Sequence, residues 1–255
     1  MRSVVVRCGT ELIEAEFSLL DLAGDRSLHR NFVTAPGTAS VCLRRVAMLD
    51  GGRALEGSPA PWGFYRVEDN LVLAHIPDNK WAAEAVLRIA WQVSTFRQGG
   101  VLMHGCGFAW GARGFAAIGH STAGKSTLAR LSCAPPGDAT LLTDEIVQLF
   151  PDGRLFGTPF RSDTEQPGAP GGVQLQTLLL LEKGPEERLA SVRPADAMPE
   201  LLGQLYRGAS EEVSQPECVR RVMQLADRVG VQRLTFRKDP AVGPFLRSQL
   251  PPPAG

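Results

Sequence analysis

The spacing of apolar and polar residues divides the chain into a strand-rich beginning and a mixed remainder. Up to residue 78, short apolar runs alternate with clusters of Gly, Pro and Asp, a pattern typical of strands joined by turns. The predicted strands are Ser3–Arg7, Ser40–Met48, Phe64–Val67 and Leu71–His75. No catalytic pattern stands out in this segment. We therefore expect residues 1–78 to form a small β-rich N-terminal subdomain.

Residues 79–255 alternate between helical and strand-like patterns. Apolar residues recur every three or four positions in Asn79–Arg97, which predicts a helix that ends at Gly99-Gly100. Further helices are predicted at Ser126–Ser132, Ala195–Tyr206 and Pro216–Val229, with a short one near the C-terminus. The predicted strands are Val101–Trp110, Gly114–Gly119, Ala139–Phe150, Val173–Glu182 and Gln232–Arg237. This alternation predicts an α/β domain over residues 79–255, with its boundary near Asp78.

Composition and charge exclude several classes of protein. Hydrophobic residues make up 44% of the 255 residues and charged residues 21%, which is typical of a globular chain. The 27 basic residues balance the 27 acidic ones, so the basic field of a nucleic-acid-binding protein is absent. No apolar run approaches the roughly 18 residues of a transmembrane helix, so we expect no membrane partner. Five cysteines without CxxC spacing, and a start without a signal-peptide core, favour a cytoplasmic protein.

The strongest chemical signal is the segment GHSTAGKS at residues 119–126, which fits the phosphate-loop pattern GxxxxGK[ST]. An apolar strand pattern precedes it and a helix pattern follows. Such a loop offers successive backbone N–H groups and the positive end of a helix to phosphates. The predicted nucleotide-binding residues are Gly119, His120, Ser121, Thr122, Ala123, Gly124, Lys125, Ser126 and Thr127. The alternative is an ordinary strand–turn–helix whose lysine is solvated.

An acidic pair, Asp144-Glu145, follows 19 residues after Lys125. The lysine would provide a cation at the β- and γ-phosphates, and the Ser126 hydroxyl a ligand for Mg²⁺. Carboxylates serve either as further Mg²⁺ ligands or as the base for an acceptor hydroxyl. Because the spacing is so short, we expect the acid strand to lie beside the loop, with Ser126, Asp144 and Glu145 as the metal ligands. The alternative is a polar strand end that faces solvent.

Together these segments resemble the HPr kinase/phosphorylase superfamily, whose catalytic core is shared with ATP-dependent phosphoenolpyruvate carboxykinases. His104 lies in VLMHGCGF, where the family has a Leu-His-Gly-like segment. Thr143-Asp144-Glu145 stands where the family has an Asp-Asp pair and many smaller relatives have Asp-Glu. A Gly-Thr-Pro turn at residues 157–159, followed by the apolar strand VQLQTLLLLEKG, is similar to the relatives' order. The resemblance covers roughly residues 82–245.

The resemblance implies a P-loop kinase core of the HPr kinase/PEP carboxykinase type, a mixed sheet with flanking helices, that uses ATP and Mg²⁺. It implies that Asp144 is the base for the acceptor hydroxyl, or shares the metal with Glu145. It also implies that His104 lies near the γ-phosphate and that Arg161 neutralises the transferring charge. Smaller relatives phosphorylate free serine or a peptide serine. The expected acceptor is therefore a serine-type hydroxyl on a peptide, protein or small molecule.

Three features depart from the family pattern. Thr122 replaces the middle glycine of the loop, and Glu145 replaces the second Asp. The stretch TPFRSDTEQPGAPGG lacks the signature that supports HPr recognition and phosphorylase activity, so HPr itself is not the expected acceptor. These departures keep open the alternative of a non-catalytic nucleotide-binding module in a peptide-maturation or regulatory assembly.

Two other nucleotide chemistries fit the sequence less well. A guanine-nucleotide switch carries Asn-Lys-x-Asp after its loop, whereas the similar segment here, at residues 79–82, precedes the loop and lacks the Asp. A carboxykinase reaction requires more metal ligands and a larger enzyme. A homo-oligomer is compatible with the resemblance, and the sequence leaves the oligomeric state open.

Overall fold

A computed structural model of the chain describes residues 3–16, 32–34, 37–55, 60–160, 168–208 and 212–249. Within these ranges the chain forms fourteen strands and five helices, with two mixed sheets. The α/β class and the β-rich N-terminal part are therefore confirmed. The chain divides into two compact units, Met1–Gln98 with Arg207–Gln215, and Gly99–Tyr206 with Pro216–Gly255. No helix in the described ranges is long and apolar enough to cross a membrane.

The first unit contains a six-stranded sheet and one long helix. Its strands are β1 (Ser3–Cys8), β2 (Glu11–Glu16), β3 (Val41–Arg45), β4 (Arg53–Leu55), β5 (Gly63–Glu68) and β6 (Leu71–His75). They lie in the order β1-β2-β3-β6-β5-β4, with β2–β3 and β3–β6 parallel and the other pairs antiparallel. The four predicted strands are present, and β2 and β4 are additional to them.

Helix α1 (Lys80–Arg97) belongs to this first unit. Its apolar face is buried and contacts β1, β2, β3 and β4. Trp91 packs edge-on against Phe32, with the ring centroids 5.9 Å apart. Because this packing ties the helix to the first sheet, the unit ends at Gln98 and not at the predicted boundary near Asp78.

The second unit is built on an eight-stranded sheet. Its strands are β7 (Val101–Trp110), β8 (Arg113–Ile118), β9 (Thr140–Thr143), β10 (Ile146–Leu149), β11 (Arg154–Phe156), β12 (Gly172–Lys183), β13 (Arg188–Val192) and β14 (Val231–Phe236). The order is β11-β10-β7-β8-β12-β14-β13, with β9 paired to β7 and the neighbours β8, β12 and β14 parallel. Strand β11 also pairs with β12, so β7, β8, β12, β11 and β10 close into a ring.

Four helices belong mainly to the second unit. They are α2 (Lys125–Cys133), α3 (Pro194–Leu202), α4 (Gln215–Val229) and α5 (Val242–Ser248). Helix α2 packs against β7, β9 and α5. Phe108 and Phe115, from β7 and β8, lie with Leu128 and Ala129 of α2 in one buried cluster. This cluster supports the turn between β8 and α2 from below.

The predicted strand over Ala139–Phe150 is wrong in one respect, because it is two strands. Residues 140–143 pair with the second half of β7, and residues 146–149 pair with its first half. The register shifts in the β7–β9 ladder, and the chain bends at Asp144 and Glu145 between the two strands. The acidic residues therefore lie in a bend and not within a continuous ladder.

The predicted helix over Ala195–Tyr206 is also shorter than expected. Helix α3 ends at Leu202, and the residues after Gly203 run alongside β7. Leu205 forms an antiparallel bridge with Met103, and the Tyr206 N–H donates to the Leu102 carbonyl oxygen at 2.9 Å. Pairing with β7 replaces the last helical turn, because it satisfies the same backbone groups.

Replacing Phe108 tests the cluster beneath α2. The Phe108 side chain is fully buried, so Phe108→Ala should lower the free energy of unfolding by about 3–5 kcal/mol through lost burial and a residual cavity. Met223 on α4 is 48% exposed, and Met223→Ala should change stability by no more than about 0.5 kcal/mol. Urea unfolding of both variants measures the difference. Equal losses in the two variants would contradict the assignment of Phe108 to the core.

Candidate functional site

The turn between β8 and α2 forms one wall of a cleft of about 460 Å³ in the second unit. Strand β8 ends at Ile118, and α2 begins at Lys125. The cleft therefore lies at the carboxyl end of a strand within the parallel part of the sheet, where α/β proteins commonly bind ligands. Its lining residues are His104, Ser121, Thr122, Gly124, Lys125, Ser126, Thr127, Asp144, Glu145 and Gln204.

Gly124 is the residue that joins the loop to helix α2. Its φ of +104° is a conformation that favours glycine. A Cβ at this position would also lie 3.1 Å from the Phe236 ring at the end of β14. Gly124 is therefore required both by its backbone angle and by the ring beneath it. As the N-cap of α2 it provides no side-chain bond to the first helical turn.

Thr122 adopts a left-handed backbone angle, with φ of +70°. A β-branched side chain disfavours this region strongly, since its Cβ substituents crowd the adjacent carbonyl. The glycine that is usual at this place in the resembled family would adopt the angle without that cost. The loop therefore forms its turn although Thr122 replaces that glycine, and the backbone at Thr122 is locally strained.

Lys125 folds back over the loop. Its Nζ donates to the Gly119 carbonyl oxygen at 2.7 Å and to the His120 carbonyl oxygen at 2.9 Å. Partial burial lowers the pKa of the Lys125 ammonium below its ordinary value, while the Cys106 and Glu145 side chains oppose this shift. The ammonium is therefore held at the loop, close to a carboxylate on the other wall.

Cys106 lies directly beneath the loop on β7. Its Sγ donates to the Lys125 carbonyl oxygen at 3.2 Å, and the side chain is fully buried. Burial first, and then the negative charge of Asp144, raises the pKa of the Cys106 thiol to about 12, although Lys125 lowers it. The group remains a neutral thiol at physiological pH, which argues against a cysteine nucleophile at this site.

Asp144 and Glu145 form the opposite wall. Asp144 is only 2% exposed, whereas Glu145 is partly exposed. The Glu145 carbonyl oxygen accepts from the Gly105 N–H at 3.0 Å, which attaches the acidic bend to β7. Both acids therefore line the same cleft as the phosphate-loop residues, as the short spacing from Lys125 predicted.

His104 and Gln204 close the cleft at the β7 side. The backbone N–H of His104 donates to the backbone carbonyl oxygen of Gln204 at 2.7 Å. The His104 ring packs edge-on against the Tyr206 ring, with the ring centroids 5.7 Å apart. The sequence pattern did not identify Gln204, because it predicted a helix there. Gly203, directly before it, is a typical helix stop and is the signal that could have placed Gln204 outside the helix.

The donor groups of the cleft fit a magnesium ion that arrives with a phosphate ligand. Mg²⁺ typically takes one or two carboxylates and completes its shell with phosphate oxygens and water. Ser126, Asp144 and Glu145 supply a hydroxyl and two carboxylates to one cleft. Three protein ligands leave coordination positions for phosphate oxygens and water, so these residues suit a Mg²⁺ ion that is also bound by phosphate.

The predicted site residues fall into three groups. His104, Asp144, Glu145 and six of the nine loop residues line the cleft. The other loop residues support it: Gly119 and His120 accept from the lysine, and Ala123 is buried. Arg161 lies outside the described residues. Comparison of the chain with models of protein families and with curated proteins gives no match.

Replacing Thr122 with glycine tests the strain in the loop. Thr122→Gly should raise the free energy of unfolding by about 1 kcal/mol, because relief of the left-handed angle exceeds the entropy cost of glycine. Ala123 is not among the residues with positive φ, so Ala123→Gly should lower it by at least about 0.5 kcal/mol. Thermal and urea unfolding report both values. A destabilised Thr122→Gly variant would contradict the strain.

Proposed function

We propose that this chain is an ATP-dependent phosphotransferase that transfers the γ-phosphoryl group to a serine-type hydroxyl on a peptide, protein or small molecule. One observation carries the proposal: the phosphate-loop residues and two carboxylates line the same cleft. A phosphate loop alone supports nucleotide binding. Carboxylates across from its end add the groups needed to hold a metal and to accept a proton.

The loop would bind the polyphosphate mainly through its backbone. The N–H groups of the first helical turn lack partners within a helix, and the helix dipole adds positive potential there. Lys125 would exchange its bonds to the Gly119 and His120 carbonyl oxygens for phosphate oxygens. Mg²⁺, when bound, would neutralise charge on the phosphates, with Ser126, Asp144 and Glu145 as the residues that hold it.

In the transfer step, the acceptor oxygen forms a bond to the γ-phosphorus while the bond to the bridging oxygen breaks, and ADP leaves. Asp144 would accept the proton of the acceptor hydroxyl, so that charge does not build up on the attacking oxygen. Lys125 would stabilise the negative charge on the leaving phosphate. The position of Asp144 in the lining of the cleft supports this role.

The remaining lining residues suggest where the acceptor would bind. His104 and Gln204 line the cleft on the β7 side, and each side chain is of a type that can both donate and accept hydrogen bonds. The proposal therefore places the acceptor hydroxyl between these residues and the acids. The order of strand, loop, acid pair and Gly-Thr-Pro turn supports a P-loop kinase core of the HPr kinase type as part of this proposal.

Lys125→Ala and Asp144→Asn should each lower phosphoryl transfer at least about 100-fold, because one removes charge stabilisation and the other the base. The assay follows γ-labelled ATP with Mg²⁺ and serine-containing peptides or small hydroxyl compounds. Lys80→Ala and Asp227→Asn are matched controls, since both side chains are exposed and lie outside the cleft. Full transfer by either site variant would refute the assignment. Tight ATP binding by the unaltered chain without transfer to any acceptor favours the non-catalytic module.

Nucleotide affinity should also fall at alkaline pH. Phosphates bind the protonated ammonium, so nucleotide affinity is highest while Lys125 is protonated. The affinity declines as the pH rises through the lowered pKa of Lys125. Calorimetry with an ATP analogue over about pH 7 to 10 measures the decline. Arginine stays protonated over this range, so Lys125→Arg should bind with little pH dependence. An equal decline in Lys125→Arg would mean that another group titrates.

A further inference from the structure

A buried pair of threonines joins the two strands on either side of the acidic bend. The Thr158 hydroxyl donates to the Ile146 carbonyl oxygen at 2.7 Å, just after the acids. The Thr143 hydroxyl, just before them, lies 3.0 Å from the Thr158 Oγ1 and 3.2 Å from the Phe160 carbonyl oxygen. Thr158 therefore contacts both ends of the segment that carries Asp144 and Glu145.

The protons of the two hydroxyls can be assigned from this geometry. Each hydroxyl has one proton to donate and two lone pairs to accept. Because the Thr158 proton is directed at the Ile146 carbonyl, the Thr143 proton is shared between the Thr158 Oγ1 and the Phe160 carbonyl. Both side chains are fully buried, so water cannot take the place of either bond.

The turn that carries Thr158 is held closely against β9. A Cβ at Gly157 would overlap the Ala169 carbonyl oxygen and come within 2.8 Å of the Leu142 carbonyl oxygen. The Gly157 N–H donates to the Gly171 carbonyl oxygen at 3.1 Å, and the Ala169 N–H to the Leu141 carbonyl oxygen at 2.9 Å. The threonine is thus attached to a backbone that has little freedom to move away from the acids.

We propose that Thr158 is a positioning residue, which holds the bend so that Asp144 and Glu145 face the phosphate loop and complete the metal-binding set. The inference rests on the proposed function. Thr158 does not line the cleft and has no charge to offer a ligand. It acts through the Thr143 side chain and the Ile146 backbone, and its effect is directed at the carboxylates and not at the loop.

The test is the Mg²⁺-dependent part of nucleotide affinity. Calorimetry measures the Kd of a non-hydrolysable ATP analogue in EDTA and in MgCl₂. The ratio of the Kd in EDTA to the Kd in MgCl₂ is the factor by which Mg²⁺ strengthens binding, and it depends on the two carboxylates. Thr158→Val keeps the shape of the side chain and removes both hydrogen bonds. It should lower this ratio about tenfold or more, while affinity in EDTA stays within about twofold. Thr158→Ser retains the hydroxyl and should restore the ratio.

Thr140→Val is the matched control, because it makes the same change at an exposed position on β9. An unchanged ratio in Thr158→Val, or an equal loss with and without Mg²⁺, would overturn the positioning role alone. Absence of nucleotide binding by the unaltered chain would overturn the proposed function and this inference with it. If Thr158→Val does not fold, Thr143→Val, which leaves the Thr158–Ile146 bond intact, is measured in the same way and should also lower the ratio.

Discussion

Strand β7 is the element on which the cleft depends, because its backbone groups are satisfied by four different segments. Along one edge it pairs with β9 and then β10; along the other it pairs with β8 and then the segment that contains Leu205. Each change of partner occurs near residues 104–107. The demand that every buried N–H and C=O be paired therefore brings the phosphate loop, the acidic bend and Gln204 to one place.

The cleft combines rigid support with local strain. Beneath the loop, a neutral thiol and a cluster of aromatic rings provide a buried, apolar floor. Above it, Thr122 adopts an unfavourable angle that the surrounding strand and helix hold in place. Strain of this kind persists only where neighbouring contacts outweigh it, and it is commonly found at binding sites. A loop held in this way is preorganised, which under the proposed function would reduce the ordering that phosphate binding requires.

Much of this arrangement could be predicted from the sequence where one signal dominated. The bounds of β6 and β7 agree with the prediction at both ends, because their apolar runs are bordered by turn residues. The turn between β8 and α2 was predicted because GHSTAGKS lies between an apolar strand pattern and a helical pattern. Strand β2 was missed, since ELIEAE mixes charge with apolar residues. The break at Asp144 was missed because LLTDEIVQLF also fits one continuous strand, and only pairing with β7 determines that it bends. The place of Gln204 in the cleft was missed for a similar reason, because the pairing of Leu205 and Tyr206 with β7 ends the helix before it.

The ring formed by β7, β8, β12, β11 and β10 limits how the chain could change in length. In an open sheet, a strand that gains a residue can change its register with one neighbour without changing the register of the other pairs. In a closed ring, the registers must add up around the circuit, so a slip in one pair displaces all five. Insertions and deletions in related chains are therefore expected in the connections, such as residues 184–187 between β12 and β13, while the strand lengths of the ring remain constant.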